Sequence, residues 1–435
     1  MKNNDLKNSD LKNNGLKDKD PNDNDQTRIP IGIYIHIPFC VKKCDYCDFL
    51  SGPAPEETRL AYVRALIREI HMGRDARRRY LVKTVFFGGG TPSILPGQAV
   101  VEIITALREC FDFDADEELE VSLEANPGTV TEEKLTLWKE AGINRLSFGL
   151  QSADNRELKM LGRIHTREQF LESWERTAKA GYRNRNIDLM SALPGQTVES
   201  WERTLRTAAA LGPEHLSVYS LIIEEGTPFY QRFAGPKSPD FSLLPDEDTE
   251  RRMYYLTKVV LKEYGYGRYE ISNYARPGFA CRHNRGYWDG TQYLGFGVGA
   301  SSYCIRKFSG HAKKNESDED RSALEDVSYI RYRNISDPSE YIRCVENGQS
   351  PVEEQIVLSM ENRMEEFMFL GLRLEKGISF QDFRRRFDCS FDQVYGMVTE
   401  KLIRQGLVTE TEEGIRLTEY GIDISNYVFE AYLLS

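Results

Sequence analysis

The sequence predicts an α/β protein: a partial, open (β/α)6 barrel followed by a C-terminal winged-helix-like domain. Six short apolar runs bounded by Gly, Pro and Asn alternate with amphipathic segments, the pattern of βα units laid on a parallel sheet. The cysteine, glycine and isolated polar motifs all follow these runs, as they should where chemistry gathers at the C-terminal ends of barrel strands. Beyond residue 350 the pattern changes to three helical stretches and a two-stranded wing. A chain of 435 residues is long enough for one large core and a smaller one.

Taken in order, residues 1–29 form a polar tail dominated by Asn, Asp and Lys. It cannot bury enough apolar surface to offset chain entropy, so it is expected to be disordered. It lacks the apolar centre of a secretory signal, and over the first 28 residues six Asp balance six Lys and Arg, unlike a mitochondrial presequence. The barrel is expected over residues 30–235, with strands at Ile31–Ile37, Val82–Phe87, Leu119–Ala125, Arg145–Leu150, Ile187–Ala192 and His215–Leu221. Helices are expected between them at Glu56–Arg79, Gln98–Cys110, Thr131–Ala141, Arg167–Ala180 and Val198–Leu211. Six units fall short of the eight that close a barrel, hence the open form. Residues 236–350 read as a linking region: a helix at Asp246–Tyr264, a Gly- and Tyr-rich stretch that alternates poorly, and a charged surface loop at His311–Asp326. Residues 351–435 give helices at Glu361–Leu374, Ser379–Phe387 and Ser390–Gln405, a wing at Leu407–Thr418, and a last helix.

Composition narrows the function classes. No apolar run is long enough to span a bilayer, and five of the eight cysteines are scattered singly, which suits a reducing cytoplasm. Winged helices often bind DNA, but residues 351–435 carry 9 Lys or Arg against 16 Asp or Glu. Phosphate neutralisation drives DNA affinity, so a packing or partner-binding role is expected and nucleic acid is not. The run Arg384–Arg386 is a local exception, and such runs are usually solvated faces.

The most specific chemistry lies in Tyr34-Ile-His-Ile-Pro-Phe-Cys-Val-Lys-Lys-Cys-Asp-Tyr-Cys. Cys40, Cys44 and Cys47 offer three thiolates on one loop after a strand, whereas a cubane iron–sulfur cluster is normally held by four cysteines. Three local donors leave one iron open to another ligand. Zinc is the chief competitor, but its structural sites need a fourth Cys or His. Gly88-Gly-Gly-Thr91 after the second strand lets backbone approach a ligand. Glu124, in Glu-Ala-Asn-Pro, could bond a ribose diol, although a turn with an incidental Glu explains it equally well. Asp188 sits in an otherwise apolar strand and needs a partner to be buried. With Arg163 it is expected to form one polar network at the barrel mouth.

These motifs, together with Gln151 and the segment Cys281-Arg-His-Asn-Arg-Gly-Tyr-Trp288, resemble the radical S-adenosylmethionine (SAM) superfamily. Within it they resemble the branch that holds oxygen-independent coproporphyrinogen III oxidase and a group of haem chaperones. The resemblance implies a [4Fe–4S] cluster on Cys40, Cys44 and Cys47, with SAM chelating the fourth iron. It implies that Gly89, Gly90 and Thr91 contact the methionine part, Glu124 the ribose, and Tyr34, Tyr46, Gln151, Arg163 and Asp188 complete the pocket. Reduction of such a cluster cleaves SAM to methionine and a 5′-deoxyadenosyl radical. The oxidase pattern carries a further cysteine where this chain has Phe49, and His-Asn-x-x-Tyr-Trp is the haem chaperone signature. A haem carrier is therefore expected, with oxidative decarboxylation of coproporphyrinogen III as the alternative. On this reading His283 is the haem ligand, against the plainer possibility of a hydrogen-bonded core histidine, and Cys281 is a weaker candidate for a covalent link. The implied partners are haem, a haem-acceptor protein that could be membrane-associated, and an electron donor such as flavodoxin or ferredoxin.

Overall fold

The computed structural model describes residues 28–73, 77–114, 119–308 and 326–434. The polar tail up to residue 27 and residues 311–325 of the charged segment lie outside the described residues. Six parallel strands run side by side in chain order: β1 (Ile29–Ile37), β2 (Tyr80–Gly89), β4 (Glu120–Ala125), β5 (Arg145–Gln151), β6 (Arg185–Ser191) and β7 (His215–Ser220), with a two-residue β3 (Asp112–Phe113) appended to β2. Helices Glu56–His71, Gly97–Cys110, Glu132–Ala141, Arg167–Lys179 and Val198–Ala210 lie between them. Each expected strand and helix of the barrel is present, within a few residues of its expected ends except in one case. The first helix stops at His71, where Met72 turns extended and Gly73 takes φ +73°, a value that favours glycine.

Alternation along the strands explains both layers. Ile31, Ile33, Ile35 and Ile37 on β1, Val121 and Leu123 on β4, and Leu146 and Phe148 on β5 are buried beneath the helices. The intervening positions are polar: Ser122 and Glu124, Arg145 and Ser147, Asn186 and Asp188, His215 and Ser217. They bond one another across the interior. Asn186 donates to Ser147 Oγ and Asp188 Oδ1, both at 2.6 Å, and its Oδ1 faces His215 Nδ1 at 2.6 Å. Buried polar atoms must be paired, and this ladder pairs them.

The region expected to link two domains instead extends the same sheet at both edges. β8 (Gly267–Glu270) and β9 (Asn273–Ala275) add antiparallel strands beside β7. On the other edge β10 (Tyr293–Phe296) pairs parallel to β1, followed by β11 (Ser301–Phe308), β12 (Asp326–Asn334) and β13 (Val352–Val357). Of these, β8, β9 and β10 have three or four residues and carry too few alternations to be read from sequence; β13 falls just inside the expected C-terminal domain. One carboxylate ties this edge down: Glu69 accepts from Gly297 N at 2.8 Å, Asn334 Nδ2 at 2.7 Å and Tyr341 Oη at 2.6 Å.

The C-terminal part has its own core, with Met368, Phe383, Tyr395, Leu402 and Val428 among its members. Helices Met360–Gly371, Phe380–Phe387 and Phe391–Arg404 pack on a small sheet of β14 (Ile378–Ser379), β15 (Val408–Glu410) and β16 (Gly414–Leu417). That is the winged-helix arrangement expected. Its basic run is already engaged: Arg385 pairs with Asp382 at 2.7 Å, and Arg386 donates to the Asp289 carbonyl at 2.8 Å.

Candidate functional site

At the C-terminal mouth of the barrel, the loop after β1 folds back on itself. Cys40 N donates to Gly52 O and Gly52 N to Pro38 O, both at 3.0 Å. The end of β2 is pressed against it, with Gly90 N and Thr91 N donating to Ile37 O and Phe39 O. The glycines make this approach possible. A Cβ on Gly90 would lie 2.7 Å from Phe39 O and 3.0 Å from Cys40 Sγ, and one on Gly89, at φ +110°, would meet the His36 ring at 2.6 Å. The triplet therefore seats the cysteine loop, a role its spacing alone did not reveal.

The three thiols share a cleft of about 130 Å³ with Tyr46, Gly89, Gly90, Thr91, Glu124, Gln151, Arg163 and Asp188. Every residue expected in the SAM pocket lines it except Tyr34, which stands one layer deeper. Tyr34 Oη faces His36 Nδ1 at 3.1 Å and its ring stacks on Phe86. Arg163 reaches across the cleft: NH2 donates to Asn126 Oδ1 at 2.7 Å and Gly149 O at 2.6 Å, and NH1 lies 3.7 Å from Cys44 Sγ. The expected Arg163–Asp188 network is not formed. Asp188 belongs to the interior ladder with Asn186 and Ser147, so two separate networks face one space. Asn126, which also donates to Thr91 Oγ1 at 2.7 Å, is a part of the site that its turn-like Asn-Pro-Gly context concealed.

The electrostatics leave room for a cationic ligand. Burial, with the Asp188 carboxylate nearby, pushes Glu124 up to about 8. Burial also raises the Cys47 thiol. Gln151 holds φ +67°, a strained state for a residue with a Cβ that collects at ligand sites. Arg163 Nε is buried without a partner among the described residues.

This donor set fits an iron–sulfur cluster with an open corner. Cys40, Cys44 and Cys47 are free, half-buried thiols, and His36, the neighbouring imidazole, is committed through Nε2 to Leu50 O at 2.9 Å. Among the described residues no three His, Cys, Asp or Glu converge on a single ion position. A cubane does not ask them to, since each thiolate caps its own iron.

Residues 34–208 match the family model of the Radical SAM superfamily, and residues 358–424 match that of the HemN C-terminal domain. The chain is 36% identical over 408 residues to the "Heme chaperone HemW" of Lactococcus lactis subsp. lactis (strain IL1403), covering 93% of this chain and 98% of that protein. The HemW of Bacillus subtilis (strain 168) is 34% identical over 400 residues, covering 92% and 98%. The chain belongs to the HemW family.

Its fold is shared with coproporphyrinogen III oxidase (HemN) from Escherichia coli, described as a radical SAM enzyme: TM-score 0.76 at 24% identity, covering 94% of this chain and 91% of that one. The HemW-family segment Cys281–Trp288 lies away from the cysteine loop, plugging the opposite end of the barrel. The Glu120 carboxylate, at the start of β4, accepts from Arg282 N and His283 N at 3.1 Å each and faces Cys281 Sγ at 3.4 Å. His283 is buried, stacked on Phe86 at 5.2 Å, with Nδ1 2.8 Å from Thr84 Oγ1 and Nε2 3.0 Å from Tyr287 Oη. Burial and the nearby Arg145 push it down to about 3, so it is neutral. Neither ring nitrogen is free for iron in this arrangement. The expectation that His283 presents itself as the haem ligand thus meets a hydrogen-bonded core histidine. Cys281 is fully buried, with no opening toward a vinyl group.

Proposed function

We propose that this protein is a haem chaperone: it binds haem, holds a SAM-chelated [4Fe–4S] cluster, and passes haem to an acceptor protein. The observation that carries the reading is the end-to-end similarity to proteins named heme chaperone HemW. The cleft supports the cofactor part. Cys40, Cys44 and Cys47 would hold the cluster, while Gly89, Gly90, Thr91, Glu124 and Gln151 would hold SAM beside Tyr46, Arg163 and Asp188. Tyr34 would support the cleft from beneath, its hydroxyl facing His36. When bound and reduced, such a cluster supplies one-electron chemistry on SAM. The chain's own residues would position the ligand: Arg163 stands beside the Cys44 sulfur, and the half-buried Glu124 carboxyl would bond the ribose.

Phe49 separates this reading from the oxidase alternative. It lines the mouth of the cleft and is 60% exposed, at the position where the oxidase pattern has a further cysteine. The scattered single cysteines support a place in the reducing cytoplasm. Among the described residues no helix is long and apolar enough to cross a membrane. An acceptor in a membrane and a flavodoxin- or ferredoxin-like electron donor complete the proposal.

The test sets both activities side by side on one anaerobically reconstituted preparation. Haem is expected to bind stoichiometrically and to leave for an apo-acceptor, while coproporphyrinogen III stays unchanged. Formation of protoporphyrinogen IX without stable haem binding would replace the carrier by the oxidase.

A further inference from the structure

The cleft at the cysteine loop is not the largest cavity. An open cavity of about 590 Å³ lies between the floor of the barrel, the β11–β12 extension and the C-terminal domain. That lies within the roughly 300–1,000 Å³ of small-molecule and cofactor sites. Its walls are aromatic and cationic. Tyr287 and Trp288 of the floor helix and Tyr303 of β11 face Phe367 and Phe387 of the C-terminal domain, with Arg363 and Arg386 beside them.

Three observations mark it as a site for a flat, aromatic, anionic ligand. First, two of its cations lack acidic partners among the described residues: Arg363 and Arg386 contact the Arg386 and Asp289 carbonyls, the Met360 sulfur and aromatic faces, whereas Arg331 and Lys376 in the same walls pair with Glu366 and Asp289. Second, among the described residues Trp288 Nε1 and Arg331 Nε are buried in the walls without partners of their own, although Arg331 NH2 pairs with Glu366; a ligand acceptor would satisfy them. Third, the aromatic faces offer broad stacking surface, with Arg363 already 3.3 Å from the Tyr329 ring centroid.

We infer that this cavity holds the haem, the porphyrin against Trp288, Tyr303 and Phe367 and the propionates on Arg363 and Arg386. The inference rests on the haem-carrier reading and deepens it by moving the cargo from His283 to the seam between barrel and C-terminal domain. The signature helix then contributes its Tyr287–Trp288 end, while His283 lies behind that wall in the barrel core, bonded to Tyr287 Oη. Among the described residues no His, Cys or Met lines the cavity, whereas Tyr287, Tyr293, Tyr303 and Tyr329 do. Ferric haem held here takes an oxygen ligand. If that ligand is a phenol, the Fe–O bond forms as the O–H bond breaks, the proton leaves to solvent and no electron moves.

The chain Tyr34–Phe86–His283–Tyr287 is continuous through the barrel interior, with ring centroids 6.4, 5.2 and 5.0 Å apart. It runs from beneath Glu124 in the SAM cleft to the wall of this cavity, so the two sites share one packed core.

The test is ferric haem titration of the full, cluster-reconstituted chain and three variants. Arg363→Glu is expected to weaken binding about tenfold or more, the loss of a charge-assisted contact and the gain of a repulsive one. Ile305→Trp, which fills the cavity from a half-buried strand position, is expected to remove binding. His283→Gln should retain stoichiometric haem with a high-spin, oxygen-ligated ferric spectrum. Iron content and the spectral response to SAM, read on every sample, show that each variant is folded. Wild-type-like binding by both cavity variants, with loss only in His283→Gln, would overturn the cavity while leaving the carrier reading intact. Absence of haem binding by the wild type would instead overturn the carrier reading, and this inference with it.

Discussion

Replacing Cys44 by alanine is expected to reduce iron from about four per chain to below one after reconstitution, and to abolish every spectral response to SAM. The cubane is held at three corners only, so two thiolates remain and no nearby group substitutes. His36 is spent on Leu50 O and the remaining cysteines lie elsewhere in the fold. Cys44 also sits 3.7 Å from Arg163 NH1, so its loss loosens the clamp across the cleft. The fold should survive. Cys44 is half-buried on a loop and outside the hydrophobic core, where substitutions shift stability by roughly half a kcal/mol. Iron and sulfide analysis beside thermal unfolding checks both halves; retention of a full complement of iron would place the cluster on other ligands.

The largest stability effect is expected at Glu69, which lines neither cavity. Its carboxyl is 6% exposed and gathers three donors from the β10, β12 and 338–346 segments. Glu69→Ala leaves those donors unsatisfied in a dry space, a loss of about 3 kcal/mol or more. Burial outweighs the donors and lifts the folded carboxyl from the usual 4.5 to about 7. Below pH 4.5 the group is protonated in both states and its contribution is whole. Between 4.5 and 7 the folded chain keeps a proton that the unfolded chain releases, so stability falls as pH rises, on the order of 1 kcal/mol per unit. Unfolding midpoints of wild type and Glu69→Gln between pH 4.5 and 7.5 test this. The difference between them should shrink or change sign as pH rises, and parallel curves would contradict it.

The barrel was legible because its strands alternate cleanly, and because Cys40, Cys44, Cys47, Gly89, Gly90, Thr91, Glu124 and Gln151 sit at strand ends or on the loops that follow them, where local sequence decides position; Arg163 comes in from beyond the short helix Asn155–Met160. The same alternation, as in Glu-Val-Ser-Leu-Glu-Ala of β4, also encoded the polar interior. It can be read only once a barrel is assumed and both faces are known to be covered. What stayed hidden depends on contacts distant in sequence. His283 meets Thr84 across 199 positions, and nothing in its neighbourhood announces that both nitrogens will be occupied. Residues Val352–Val357 form β13 although every one of them is exposed, because pairing with β12, not burial, makes the strand. The aromatic–arginine cavity is assembled from three segments that are unremarkable one at a time.

The account depends on an iron corner that the protein does not cap. Electron paramagnetic resonance of the reduced, reconstituted wild type, recorded with and without SAM, tests it most directly. A cluster signal whose g-values shift on addition of SAM is the result expected. Zinc in place of iron, or a cluster signal indifferent to SAM, would contradict it.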